Sequence, residues 1–132
     1  MTKKLLIVTA LMLVSLSTYA STLTCKGIDS DNGQITLTIK WANDQMKVHY
    51  TDMMTDGYDA QRSWKAESSR FSRTENQINL QATIGDYSWF SLDMNLSSND
   101  GVHYKGESNY EENDSGWELY SKVKDIECIY KK

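Results

Sequence analysis

Chemistry in this 132-residue chain has few possible seats. Its two cysteines, Cys25 and Cys128, are far apart, and an isolated pair so placed suits a disulfide better than a nucleophile. Its two histidines, His49 and His103, each fall on the polar side of an alternating run. A zinc site would require them on neighbouring strands with a carboxylate such as Asp52 or Glu107 beside them, so solvated surface histidines are the simpler expectation. Serines are plentiful, yet none sits in a Gly-x-Ser-x-Gly turn. Glu111, Glu112, Asp114 and Glu118 include enough carboxylates for a glycosidase pair, but their clustering reads as the solvated tip of a hairpin. Asp29-Ser30-Asp31-Asn32-Gly33 starts like a calcium loop and departs from it, because Gly33 is fifth where such a loop places glycine sixth. The expectation is a protein without catalytic residues, metal or cofactor.

Binding chemistry has a better seat. Residues 55–76 separate two alternating runs and hold Tyr58, Trp64 and Phe71 among Arg62, Lys65, Arg70 and Arg73. On the run that follows, Phe90, Leu92, Met94 and Leu96 take one face, which leaves Tyr87 and Trp89 on the other. Trp, Tyr and Arg are enriched at interface hot spots, because they bury area while offering fixed polar groups. The candidate binding residues are therefore Tyr58, Arg62, Trp64, Lys65, Phe71, Tyr87 and Trp89. The competing expectation is that this segment folds over the sheet, with Trp64 and Phe71 covering Trp89.

The elements that position these residues follow from the two ends of the chain. Lys3 and Lys4, the apolar run 5–16 and the small-x-small pair Thr18 and Ala20 have the form of a cleaved secretory signal over residues 1–20. The apolar run, about twelve residues, is short of the roughly 20 that a helical span needs. A single domain over residues 21–132 then remains, with a cysteine near each terminus. Thr22 and Thr24 do not suit the lipid-attachment signal that would make Cys25 an anchor. Removing residues 1–20 takes away two lysines and no acid, leaving twelve basic against eighteen acidic side chains, a net −6. That balance argues against a dominant nucleic-acid or anionic-membrane surface. Periplasmic or secreted localisation is expected, without a membrane span.

Within the domain the dominant period is two. Ile35, Leu37, Ile39 and Trp41 alternate with polar residues, as do Met46, Val48 and Tyr50, then Ile78, Leu80, Ala82 and Ile84. Val102 with Tyr104, and Trp117 with Leu119 and Val123, extend the scheme. Asp31-Asn32-Gly33, Gly85-Asp86 and Asn99-Asp100-Gly101 mark turns. The pattern predicts an all-β antiparallel meander of about seven to eight strands, a sandwich or nearly closed barrel with its termini joined by a disulfide. In the segment 55–76, residues 60–68 are expected to form a helical turn or two, and 70–74 an added strand. Inward parity changes from odd at Leu119 and Val123 to even at Ile126, Cys128 and Tyr130, which predicts a β-bulge at Lys124-Asp125 that turns Cys128 inward.

A small, acidic, exported β-domain without catalytic groups fits a soluble binding protein that acts on another envelope or extracellular protein. An envelope-enzyme inhibitor or immunity-type protein would be of this kind. The architecture resembles that of the small lysozyme-inhibitor barrels with cysteines near their ends, although the loop motifs of those families are absent here. Alternatives are a carrier of a small apolar or carbohydrate ligand stacked on Trp89 or Trp64, and a structural or adhesive surface protein.

Overall fold

The computed structural model describes residues 21–42, 45–53, 59–85, 88–114 and 117–132, so the signal-like segment 1–20 lies outside it. Nine strands form one antiparallel sheet: β1 (Ser21–Ile28), β2 (Gln34–Ala42), β3 (Gln45–Met53), β4 (Asp59–Lys65), β5 (Ser68–Arg73), β6 (Gln77–Ile84), β7 (Ser88–Ser98), β8 (His103–Asp114) and β9 (Trp117–Lys131). The sheet order is β4-β3-β2-β1-β9-β8-β7-β6-β5, and the sheet curls as a half-barrel.

The two edge strands are consecutive in the chain. β4 pairs with β3 and β5 pairs with β6, and only Ala66 and Glu67 separate them. The Ala66 N–H donates to Met46 O at 2.9 Å and the Glu67 N–H to Thr83 O at 2.9 Å, so the chain changes partner between these two residues. This link draws both edges of the sheet to one point, which protects them from pairing with another chain.

The segment expected to contain a helical turn is therefore extended. Alternation explains the correction: Trp64 faces inward while Ser63 and Lys65 are exposed, and Val48↔Trp64 and His49↔Ser63 pair in register. The strand expected over 70–74 is β5. β8 runs well beyond the Val102 and Tyr104 alternation expected to mark it, because its sequence, HYKGESNYEEND, contains no aliphatic residue to signal the rest. Val102, expected to face inward, lies exposed in the turn before it. In that turn Asp100 accepts the N–H groups of His103 and Val102 and contacts the His103 ring, which holds its carboxyl well below the usual range.

Inward residues of the alternating runs make one core: Leu23, Ile35, Leu37, Ile39, Val48, Ile78, Leu80, Leu92, Met94, Tyr104 and Ile126 are all essentially inaccessible. Between Gly106↔Ile126 and Ser108↔Val123, Glu107 alone stands opposite Lys124 and Asp125, which is the bulge expected there. It turns Cys128 inward to meet Cys25, which shares the inner face of β1 with Leu23; the two pair directly across β1 and β9 and form a disulfide spanning 103 residues. Gly106 lies against β7 so closely that a Cβ there would come within 2.0 Å of the Asn95 carbonyl oxygen.

A loop of this length makes the disulfide a large share of the stability of a small domain. Replacing both cysteines by serine is expected to lower the unfolding free energy by about 4–5 kcal/mol in the chain-entropy model. Urea unfolding of the double variant against the oxidised protein checks this, read as a lower midpoint with a steeper slope, because the unfolded chain expands once the cross-link is gone.

Candidate functional site

One end of the curled sheet carries a polar cluster inside the core. β1, β3, β6 and β8 finish at this end, and β2, β4, β7 and β9 begin there. Three carboxylates are buried at this end: Asp29 is 6% exposed, Asp52 2% and Glu112 4%.

Strand geometry puts them there. Tyr50 and Asp52 are two apart on β3, and Tyr110 and Glu112 are two apart on β8, so each tyrosine shares the inward face with the acid that follows it. Tyr50 Oη donates to Asp52 Oδ2 at 3.2 Å, and Tyr110 Oη donates to Glu112 Oε1 at 2.8 Å. The two phenol rings stack with centroids 3.8 Å apart and planes within 4°. β3 and β8 are four places apart in the sheet order, so the rings meet across the interior and not along a strand pair.

β4 adds the remaining polar groups. Trp64 Nε1 donates to Tyr110 Oη at 3.1 Å, and Arg62 Nε donates to Glu112 Oε2 at 3.1 Å. The β1–β2 turn completes the cluster from the far side. Asp29 Oδ1 accepts the N–H groups of Asp31 at 3.0 Å and Gly33 at 2.8 Å, with Asn32 in the left-handed region at φ 64°. Ser121 donates to Asp29 Oδ2 at 3.3 Å and also hydrogen-bonds Tyr50.

Burial, the largest cause, pushes the Tyr50 and Tyr110 hydroxyls far above the ordinary phenol value of 10.0, and the neighbouring Asp52 and Glu112 charges add to it. Both oxygens of Asp29 and of Glu112 are engaged by donors within the protein. A network so satisfied holds the opposite walls in fixed register. Among the described residues, no group of three or more His, Cys, Asp or Glu is placed to hold a metal ion.

The sequence-derived binding residues do not form one patch. Trp64 is a core residue, 8% exposed, stacked on Phe90 at 5.5 Å. Arg62 reaches from the rim, with 37% of its side chain exposed. Phe71 lies at the opposite end on β5, 4.3 Å from the Trp41 ring, beside Tyr130 and the Arg73 guanidinium that covers it at 3.9 Å. Lys65 is exposed on the outer face of β4. Tyr58, Tyr87 and the Trp89 side chain lie outside the described residues.

Sequence reasoning missed Asp29, Asp52, Tyr110 and Glu112, and it read the acids near 112 and the turn at 29 as solvated. The available signal was parity: Asp29 continues Leu23 and Cys25, and Asp52 continues Met46, Val48 and Tyr50. The larger hollows on the described surface are lined by outward side chains, among them Lys26 with Lys122, Lys40 with Lys65, and Thr24 with Lys105. Comparison with protein-family models, curated proteins and solved structures finds no match for this chain.

Two measurements follow from the cluster. The raised tyrosine values favour the neutral phenols, so this stability is fully present below the unfolded value of about 10 and is lost as pH rises beyond it. A spectrophotometric alkaline titration is expected to leave two phenols un-ionised until the protein unfolds, with global unfolding above pH 10 sharper than in Tyr50→Phe. Trp64→Ala is expected to lower stability by roughly 3–5 kcal/mol, as for other buried large-to-small changes. Denaturant unfolding checks it, and a loss below about 1 kcal/mol would place Trp64 on a free surface.

Proposed function

We propose that this is a non-catalytic binding protein of the periplasm or cell exterior, whose ligand is another macromolecule held on the outer surface of the sheet. The observation that carries this reading is the filled interior. Leu, Ile and Met side chains occupy the lumen along most of its length, and the stacked Tyr50 and Tyr110 with their carboxylates close the polar end. A carrier of the lipocalin kind needs an open chamber at the barrel centre. Rigid sheets with packed centres act instead through their faces and rims.

The Cys25–Cys128 disulfide supports an oxidising compartment, and export is the ordinary route there. The outward residues of the strands support life in water: Thr36, Lys40, Lys47, Gln81, Asn95 and Lys105 stand exposed where a lipid-facing barrel would carry an apolar band. Inhibition of an envelope enzyme or neutralisation of a toxin is a role that such a scaffold performs by occupation alone.

Native mass spectrometry of protein recovered from its producing cells tests the reading. The expected result is the bare chain, with no small molecule retained under gentle ionisation. Size separation of the same extract should place a fraction of the protein in a larger complex. A stoichiometric lipid, sugar or pigment carried through purification would overturn the proposal in favour of a carrier.

A further inference from the structure

β9 is an inner strand of the sheet, yet its two parts differ in company. It pairs with β8 on both sides of the bulge, but only residues 127–131 pair with β1, and the last such pair is Lys26↔Glu127. Beyond it β1 keeps β2 as its partner, through Gly27↔Ile35 and Ile28↔Gln34. Among the described residues, 117–126 of β9 therefore have a strand neighbour on the β8 side and none on the other.

The backbone groups on the open side follow from alternation. The Ser98 N–H donates to Asn76 O, so even residues of β7 bond β6 and odd residues bond β8. Even residues of β8 are left to bond β9, where Tyr110 pairs with Ser121 and Glu112 with Leu119. The N–H and C=O groups of Tyr120 and Lys122 then turn to the open side. The β1–β2 turn approaches there through the Asp29 and Ser121 side chains but gives these two residues no backbone bond.

A hollow of about 740 Å³ lies on the outer surface at this fork, lined by Lys26, Lys122 and Lys124 with Ile28, Gln34 and Thr36. Ion pairs among the described residues join Arg62 to Glu112, His103 to Asp100 and Lys105 to Glu127, and none engages Lys26, Lys122 or Lys124. Of the carboxylates at the hollow, Lys105 holds Glu127 at 3.4 Å and the β1–β2 turn holds Asp29, which leaves Asp125 against three lysines. Ile28, 63% exposed, borders the hollow on β1, and Tyr120, 56% exposed, stands on the open stretch of β9.

We propose that this open stretch takes up an extended, acidic segment of a partner protein, which adds a strand beside residues 118–124 and sets its carboxylates on Lys26, Lys122 and Lys124. The inference deepens the reading of a macromolecule-binding protein and rests on it. Strand addition draws affinity from main-chain hydrogen bonds and specificity from side chains that alternate along the added segment. A line of backbone donors and acceptors selects another polypeptide, since a polysaccharide or a lipid headgroup has no matching ladder. The surplus of lysines selects acidic side chains.

The experiment is an NMR titration of the purified, disulfide-intact, nitrogen-15-labelled protein with a capped octapeptide of alternating glutamate and valine. Saturable binding is expected, with the Tyr120 and Lys122 amide signals shifting and their hydrogen exchange slowing as they gain acceptors. The same peptide with every internal amide N-methylated keeps its charges and loses its donors. It should bind at least about tenfold more weakly, as should a peptide with lysine in place of glutamate. The triple variant Lys26→Gln, Lys122→Gln, Lys124→Gln should lose at least about tenfold in affinity for the glutamate peptide. Lys65→Gln, on β4, should bind as the unaltered protein does; if the triple variant fails to fold, Lys124→Gln alone carries the test. Absence of saturable binding overturns the site, as does protection that arises on β4 or β5 and not on β9. Equal binding of the methylated peptide overturns strand addition. Equal binding of the lysine peptide, or by the triple variant, overturns the acidic assignment. No peptide binding, with a bare chain and a larger native complex, removes this inference and leaves the general reading intact. A small molecule found in the lumen, with peptide binding on β9, does the reverse.

Discussion

The architecture depends on a stack of two phenols across the interior. Tyr50 and Tyr110 come from strands four places apart in the sheet, so their contact at 3.8 Å requires the sheet to curl until β3 faces β8. A buried hydroxyl without an acceptor is unfavourable by about 1–3 kcal/mol, which explains why each ring brings its own carboxylate two residues further along the strand. On β4, Arg62 donates to the Glu112 carboxylate and Trp64 donates to the Tyr110 hydroxyl. Aliphatic residues at these positions would pack the lumen without the network. The polar solution constrains register as well as volume, because the ring stack and the Arg62–Glu112 and Trp64–Tyr110 bonds tie β3, β4 and β8 together.

Closure and stapling complete what the stack begins. The Ala66-Glu67 link joins the two sheet edges covalently, and the disulfide joins β1 to β9 at the opposite side of the sheet order. Both devices act on the entropy of a small chain whose core alone is modest. At the end away from the tyrosines, Tyr104 Oη donates to Thr74 O at 2.8 Å and Arg73 Nη2 to Gly101 O at 2.9 Å, tying the β5–β6 and β7–β8 turns together. The interior is thus locked at both ends, and the outer side chains of the sheet face solvent.

Net charge is a poor guide to that surface. The chain is acidic as a whole, yet three of its acids, Asp29, Asp52 and Glu112, are withdrawn into the interior. A cross-strand row is invisible in linear sequence because Lys40, Lys47, Lys65 and Lys131 are separated by intervals set by turn lengths and not by period.

Local alternation was enough to specify β2, β3, β6 and β7 and the inward direction of both cysteines, including the bulge at Lys124-Asp125. These features depend on a period of two and on turn chemistry, both written within a few residues. The rest was decided by tertiary structure. β8 is polar in composition and became a strand because it bridges β7 and β9. Residues 59–73 lack a long apolar stripe and became two strands because each half finds a different partner. Trp64, read from sequence as an interface candidate, belongs to the core because β4 pairs with β3 in a register that turns it inward. Burial of Asp29, Asp52 and Glu112 follows from contacts made across the lumen, between residues distant in the chain, and such contacts exist only once the sheet has curled.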